Sequence, residues 1–290
     1  MLDISKICDA FSGLSDSSSS KENSKICDSL LGSIFDRKSD IAVVDSFGNK
    51  NIDVDGDKEP DISHGESITR MIKGKNPDAE VSKFEGESPE DFNKSCEEIA
   101  DRVKNGEEID GVNMSLAQEM NIDELAEKTD LPLDKDNLSE YKDEIKQKMK
   151  ESDDPKLQTA SQEIESIEKI TETGTPVYIS GGNSGEEGMN LFNLADGTEN
   201  IGSKNADYSA SNSLIDKYEK GDYQSKKVSG GYDFTDDGEA DVSDSEVSGG
   251  TPIDEPYLSG TSYSSPTALA EDTTKDSVCD KIGSLLSLVC

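Results

Sequence analysis

Ile41-Ala42-Val43-Val44 is an unbroken apolar run between Asp40 and Asp45. Hydrophobic residues make up 31% of the chain and charged residues 32%, so apolar material has to be concentrated in a few segments. A run this short, without polar alternation, reads as a strand buried on both faces, as strands of helix-covered parallel sheets are. The downstream segments keep to that pattern. A helix is expected after His64, turning Ile68, Met71 and Ile72 inward, and then a strand over Ala79–Phe84. Ser88-Pro89-Glu90-Asp91 supplies an N-cap, a proline at the first helical position and acids in the first turn. The helix it opens places Phe92, Cys96, Ile99 and Val103 on one face and stops near Asn105-Gly106. Gly111–Leu116 returns as a strand. A helix from about Leu157 to Thr173 ends at Gly174, and Pro176–Ile179 starts the next strand. The fold class expected is α/β, a mostly parallel central sheet with helices on both faces.

Residues 1–39 read as an N-terminal appendage, with amphipathic pieces Ile4–Leu14 and Ile26–Phe35 around the flexible tract Ser15–Ser20. Residues 40–290 read as one domain with a charged insertion at about 118–156 lying outside the sheet. Residues 190–256, rich in Gly, Ser, Asp and Asn, promise weak strands at best. A helix is expected from near Pro266, and a last amphipathic one carries Val278, Ile282, Leu285 and Val289.

The net charge of -35 opposes nucleic acid and anionic membrane surfaces as partners, because phosphates are repelled at every approach. No 18-residue apolar run and no signal peptide are visible, so membrane insertion is not expected and a cytoplasmic location is the default. Export by a route without a cleaved signal is the alternative. Cysteines at 8, 27, 96, 279 and 290 form no CxxC pair and suggest neither a zinc site nor a closed disulfide framework. Oligomeric state is left open.

His64 is the only histidine, so a base-catalysed mechanism that uses histidine has one candidate. Asp45 ends the apolar strand upstream, and Ser262 lies downstream in Gly260-Thr261-Ser262 with Pro266 following. A serine hydroxyl is a poor nucleophile until a base removes its proton, and an acid fixes the tautomer of that base. Asp…His…Ser is one of the chain orders that builds such a triad.

These blocks resemble the subtilisin-like serine protease family. Gly260-Thr261-Ser262-x-x-x-Pro266 matches its nucleophile motif, Val43-Val44-Asp45-Ser46 its aspartate strand, and His64-Gly65 the start of its histidine helix. Ser180-Gly181-Gly182-Asn183-Ser184-Gly185 is similar to the segment bearing the oxyanion asparagine. Val112-Asn113-Met114-Ser115-Leu116 is similar to one wall of the family's S1 pocket. The resemblance implies a serine endopeptidase acting on polypeptide substrates through an acyl-enzyme on Ser262, with His64 as base, Asp45 orienting it and Asn183 stabilising the oxyanion. Substrate is implied to pair as an extended strand beside Gly86 and the Ser115-Leu116 segment. The pattern departs where Phe47 follows Ser46, and where Glu66, Thr69 and Arg70 replace small residues after His64-Gly65. A catalytically inactive protein of the same fold, docking a basic partner, is the rival expectation.

No cofactor is required by this chemistry. Asn51–Asp57 has the oxygen spacing and glycine of a calcium loop, but Ile62 stands where a bidentate glutamate belongs. The stretch, like Asp233–Asp244, is read as a solvated acidic turn, with calcium the alternative.

Overall fold

A computed structural model describes residues 38–205, 207–247 and 256–287, with side chains as far as residue 274. The expectations for the N-terminal appendage, for the last amphipathic face, and for every cysteine but Cys96 lie outside these described side chains. One compact unit spans Asp40–Thr273.

Six strands form its central sheet: β1 Asp40–Asp45, β2 Glu80–Glu85, β3 Gly111–Met114, β4 Val177–Ser180, β5 Thr198–Ser203 and β6 Lys217–Glu219. Their spatial order is β6-β5-β4-β3-β1-β2, and every neighbouring pair is parallel. Ile41 and Val43 of β1 enter one apolar core, and Ala42 and Val44 enter the other. The apolar run therefore supplies both faces of the sheet at once.

Helices cover those faces. Helix α1, His64–Lys75, packs Ile68, Met71 and Ile72 into the core that holds Ile41 and Val43. On the opposite face α2, Pro89–Lys104, brings Phe92, Cys96 and Ile99 against Ala42 and Val44. Ser88 caps α2 by accepting from Asp91 N–H at 3.1 Å, as its sequence implied. The stretch 118–156 lies outside the six-stranded sheet and forms α3, Ile122–Thr129, and α4, Lys142–Glu151. It is not merely a charged excursion: Leu125, Leu138, Ile145 and Met149 are buried in the same core as α2 and α5, Pro155–Thr171.

Two sequence expectations change. The low-complexity stretch contributes β5 and β6 to the central sheet, because buried polar groups there are answered by hydrogen bonds. The Asn200 amide donates to Asn193 O at 3.1 Å and Leu214 O at 2.9 Å. The C-terminal helix α6, Thr261–Ser287, starts ahead of Pro266 rather than at it. Proline offers no N–H to Ser262 O, and the Ser115 hydroxyl donates to that carbonyl instead, at 2.8 Å.

The two acidic stretches fold alike. Asp53–Asp61 and Asp233–Asp241 are nine-residue loops closing short antiparallel hairpins, with Ile52 opposite Ile62 in one and Tyr232 opposite Val242 in the other. The first aspartate accepts the N–H groups of the fourth and sixth loop residues. These are Gly56 and Lys58 at 2.7 and 2.9 Å, and Asp236 and Gly238 at 2.9 Å each. The last aspartate accepts from the second residue, Val54 or Phe234, at 2.8 Å in both. All four amides at the fourth and sixth positions belong to residues with positive φ. Both hairpins hold α1. The first ends in Ser63, which caps the helix by accepting from Glu66 N–H at 3.2 Å. The second receives Arg70 and Lys75 on its backbone carbonyls Asp241 O and Thr235 O, each at 2.5 Å.

No helix among the described residues is long and apolar enough to cross a membrane. Glu163, on the core side of α5, is 3% exposed, and its Oε2 lacks a partner. Burial pushes its carboxyl up to about 7, against a hydrogen bond from Gln118. The folded state therefore binds this proton more tightly than the unfolded chain, and the stabilisation is lost as pH rises from the ordinary carboxylate range through 7. Glu163→Gln cannot ionise. Urea unfolding should show the variant gaining about 2 kcal/mol on the wild type between pH 5 and pH 8; a constant difference would mean that Glu163 is solvated.

Candidate active site

The candidate residues lie at the carboxyl ends of the strands around the switch between β1 and β3, where open parallel sheets form crevices. Asp45 is the last residue of β1 and is fully buried. Its Oδ1 accepts from Ser46 N–H at 2.7 Å and is 2.7 Å from His64 Nδ1. Its Oδ2 is buried without a partner. A carboxylate can only accept, so Nδ1 of neutral His64 carries the proton and Nε2 keeps its lone pair.

His64 is the first residue of α1, and Gly65 N–H donates to Ser46 O at 2.9 Å, tying the helix start to the end of β1. A Cβ on Gly65 would sit 2.7 Å from the Phe47 ring, so the phenyl occupies the space that glycine leaves open. This accounts for the Phe47 departure: the aromatic packs against the start of the helix. The Tyr263 ring lies 6.1 Å from the imidazole, and its hydroxyl is 3.2 Å from Ser67 Oγ. Burial pushes the Tyr263 phenol well above its ordinary range.

Ser262 stands in the first turn of α6, where its hydroxyl donates to Ser115 O at 3.2 Å. Asn183, exposed just beyond β4, accepts on Oδ1 from Thr261 N–H at 2.8 Å and from the Thr261 hydroxyl at 3.1 Å. Only an oxygen can face a backbone N–H, so the Asn183 NH₂ points away from Thr261. Gly260 turns the chain here at φ 144, a conformation that favours glycine. His64, Asn183 and Ser262 border one cavity of about 440 Å³.

Ser115, Leu116 and Gly86 do not line that cavity. Ser115 Oγ is committed inward, donating to Ser262 O and accepting from the Asn113 amide at 2.9 Å. Leu116 and Gly86 adjoin, since a Cβ on Gly86 would meet Leu116 Cδ1 at 2.7 Å. Gly86 N–H donates to Asp45 O at 2.8 Å, so this backbone segment stands directly beside the acid.

Sequence reasoning missed Glu119. Its carboxylate accepts Asn183 N–H at 2.6 Å and the Ser184 hydroxyl at 2.5 Å, clamping the asparagine loop. Nothing local marks it among the acids of a charged stretch. Thr261, inside the motif singled out, orients Asn183. Glu186 is paired with Lys135 at 2.8 Å, and Glu85 accepts from Phe47, Gly86 and Glu87 N–H groups.

Asp53, Asp55 and Asp61 bring carboxylate oxygens within 4.8 Å of one another, and they are the residues that could hold a cation. Burial, then the charges of Asp61, Asp57 and Asp53, push the Asp55 carboxyl up. The loop closes as a hairpin with Ile62 buried in its strand, so the EF-hand spacing does not carry over to an EF-hand geometry.

No protein-family model and no characterised protein sequence matches the chain. Solved structures do. The prenylagaramide maturation protease PagA superimposes with a TM-score of 0.50 at 14% identity, over 87% of this chain and 82% of its own. A lanthipeptide protease matches at 0.47 and 16% identity, over 85% of this chain and 77% of its own. The patellamide maturation protease PatA matches at 0.49 and 13%, over 84% and 80%. The fold is subtilisin-like. At these identities the likeness concerns the fold alone.

Ser115→Ala removes the donor that replaces the missing proline N–H and leaves the Asn113 amide without its acceptor. A loss of about 1–3 kcal/mol in urea unfolding is expected. Adding Pro266→Ala returns an N–H to Ser262 O and should recover part of it. Strict additivity of the two substitutions would show that this carbonyl does not couple them.

Proposed function

We propose that this chain is a serine endopeptidase that hydrolyses peptide bonds through an acyl-enzyme on Ser262. The observation that carries the reading is the buried Asp45 carboxylate 2.7 Å from His64 Nδ1, with His64, Ser262 and Asn183 bordering one cavity. A proton held on Nδ1 leaves Nε2 as the base. Rotation about χ1 turns the Ser262 hydroxyl from Ser115 O towards that nitrogen when substrate arrives. Attack on the scissile carbonyl forms the Ser262 Oγ–C bond while the proton passes to His64. The resulting imidazolium faces Asp45 and then delivers the proton to the leaving amine. Water enters by the same base and releases the acyl group.

The negative charge on the tetrahedral oxygen is answered by the Asn183 NH₂ and the Ser262 backbone N–H, at the start of a helix whose dipole favours an anion. Thr261 and Glu119 keep that amide aimed without touching substrate. Extended substrate is proposed to lie beside Gly86 and Ser115-Leu116 on its acyl side. Every step uses side chains and backbone of this chain together with water, and none needs a metal; the Asp53–Asp61 loop is a place where calcium would act on stability rather than chemistry.

A fluorophosphonate probe tests the reading. Labelling of the wild type but not of Ser262→Ala or His64→Ala is expected, with peptidase activity of His64→Ala reduced by about 10⁶-fold. Absent labelling of the wild type would favour a binding protein of this fold. Asn183→Ala should lower kcat by about 10²–10³-fold with little change in KM, the size of loss seen when this kind of donor is removed in a subtilisin. A raised KM at unchanged kcat would place Asn183 on the ground-state substrate instead.

A further inference from the structure

We propose that Asp53 and Tyr257 select lysine or arginine at the residue immediately following the scissile bond, an inference that rests on the peptidase reading above. The cavity beside His64 and Ser262 is lined by Asn51, Ile52 and Asp53 and by the strand Tyr257–Ser259. None of the segments assigned to the acyl side lines it. His64 must hand its proton to the leaving amine, so the leaving portion of the substrate has to pass against His64, on this side of Ser262.

Two features of the walls are specific to a long cation. Asp53 is the only Asp, Glu, Lys or Arg among the described residues that line the cavity. Its carboxylate is fixed, one oxygen holding Gly56 N–H at 2.7 Å and the other Lys58 N–H at 2.9 Å. Each oxygen keeps a further lone pair for an incoming donor. Tyr257 also borders the cavity and is 64% exposed, against 39% for Tyr218, the other exposed large hydrophobic side chain described. Its neighbour Leu258 is buried and pairs with Tyr223, so the strand is anchored while the Tyr257 ring remains outside. Lys226, which lies within electrostatic reach of Tyr257, is tied to Asp236 at 2.7 Å.

An exposed ring and a fixed carboxylate bordering one cavity suit a side chain with an apolar stem and a charged head. The stem covers the ring, the head meets the negative charge, and a guanidinium can also stack. A glutamate in the same place meets repulsion, and a small residue leaves the ring in water. The Asp53 loop thereby acquires a role that its twin, with Asp233 at the matching position, does not share, since no residue of the second loop lines this cavity.

The test uses quenched fluorescent peptides identical except for Lys, Gln or Glu after the scissile bond, with the cut mapped by mass spectrometry. Wild-type kcat/KM should favour Lys over Gln by about tenfold and Glu least. Asp53→Asn should bring the Lys/Gln ratio to about one, and the exposed Tyr257→Ala should cut it to about threefold. The wild-type preference should shrink in 1 M salt. An unchanged ratio in both variants, or a flat wild-type preference among peptides that are cleaved, overturns the proposal and leaves the peptidase reading standing. Thermal melts separate a misfolded Asp53→Asn loop from a lost subsite, with Tyr257→Ala reading the subsite independently. If the wild type cleaves no peptide, the peptidase reading falls, and fluorescence anisotropy of the same peptides on Ser262→Ala decides the cavity. Lys binding about tenfold tighter than Glu supports it, and equal binding overturns it.

Discussion

A carboxylate sits at the end of a strand whose other buried residues are apolar, and the molecule around it answers that charge. Asp45 is fully buried, yet one of its oxygens receives two donors and the other none. Burying an ion without full compensation is unfavourable, so the contact with His64 Nδ1 matters both to the folded state and to any chemistry there. His64 in turn depends on where α1 begins. That point is fixed by the Ser63 cap, by Gly65 N–H on Ser46 O, and by the hairpin that closes on Ile62-Ser63. The parallel sheet supplies the remaining parts, because β1, β2, β3 and β4 all deliver their carboxyl ends to one edge.

The acidity is housed in backbone as much as in ion pairs. With 64 acids and 29 Lys and Arg, most carboxylates cannot have a cation of their own. Aspartates instead accept loop N–H groups, which are abundant where strands are short. Asp53 and Asp61, and at matching places Asp233 and Asp241, each hold a loop together this way. The same economy gives Glu119 its place, clamping the Asn183 loop, and leaves Asp53 as a fixed negative charge on the wall of the candidate cleft.

Much of this architecture was legible. The Ile41–Val44 run, the Ser88-Pro89 start of α2 and the Gly174 stop after α5 announced themselves, because apolar periodicity and capping are local signals. β5 and β6 were not legible. The buried positions of β5 include Asn200 and Ser203, polar residues that a sequence pattern assigns to loops and that only neighbours such as Leu214 and Tyr208 make tolerable. The likeness of the two acidic loops was equally hidden. It resides in which aspartate meets which amide, and in composition alone both look like ordinary solvated turns.

The sequence by itself determined the strand–helix alternation, the single histidine and the chain order of Asp45, His64 and Ser262, because each is written in residue type and spacing. Tertiary structure alone decided how those residues are used. The Asn183 oxygen is turned to Thr261 by a backbone N–H from a distant segment. The carbonyl that Pro266 cannot serve is served by Ser115. Phe47 fills the space above Gly65. In each case a donor, an acceptor or a volume finds its complement far along the chain, and such complements depend on positions in space that local pattern does not encode.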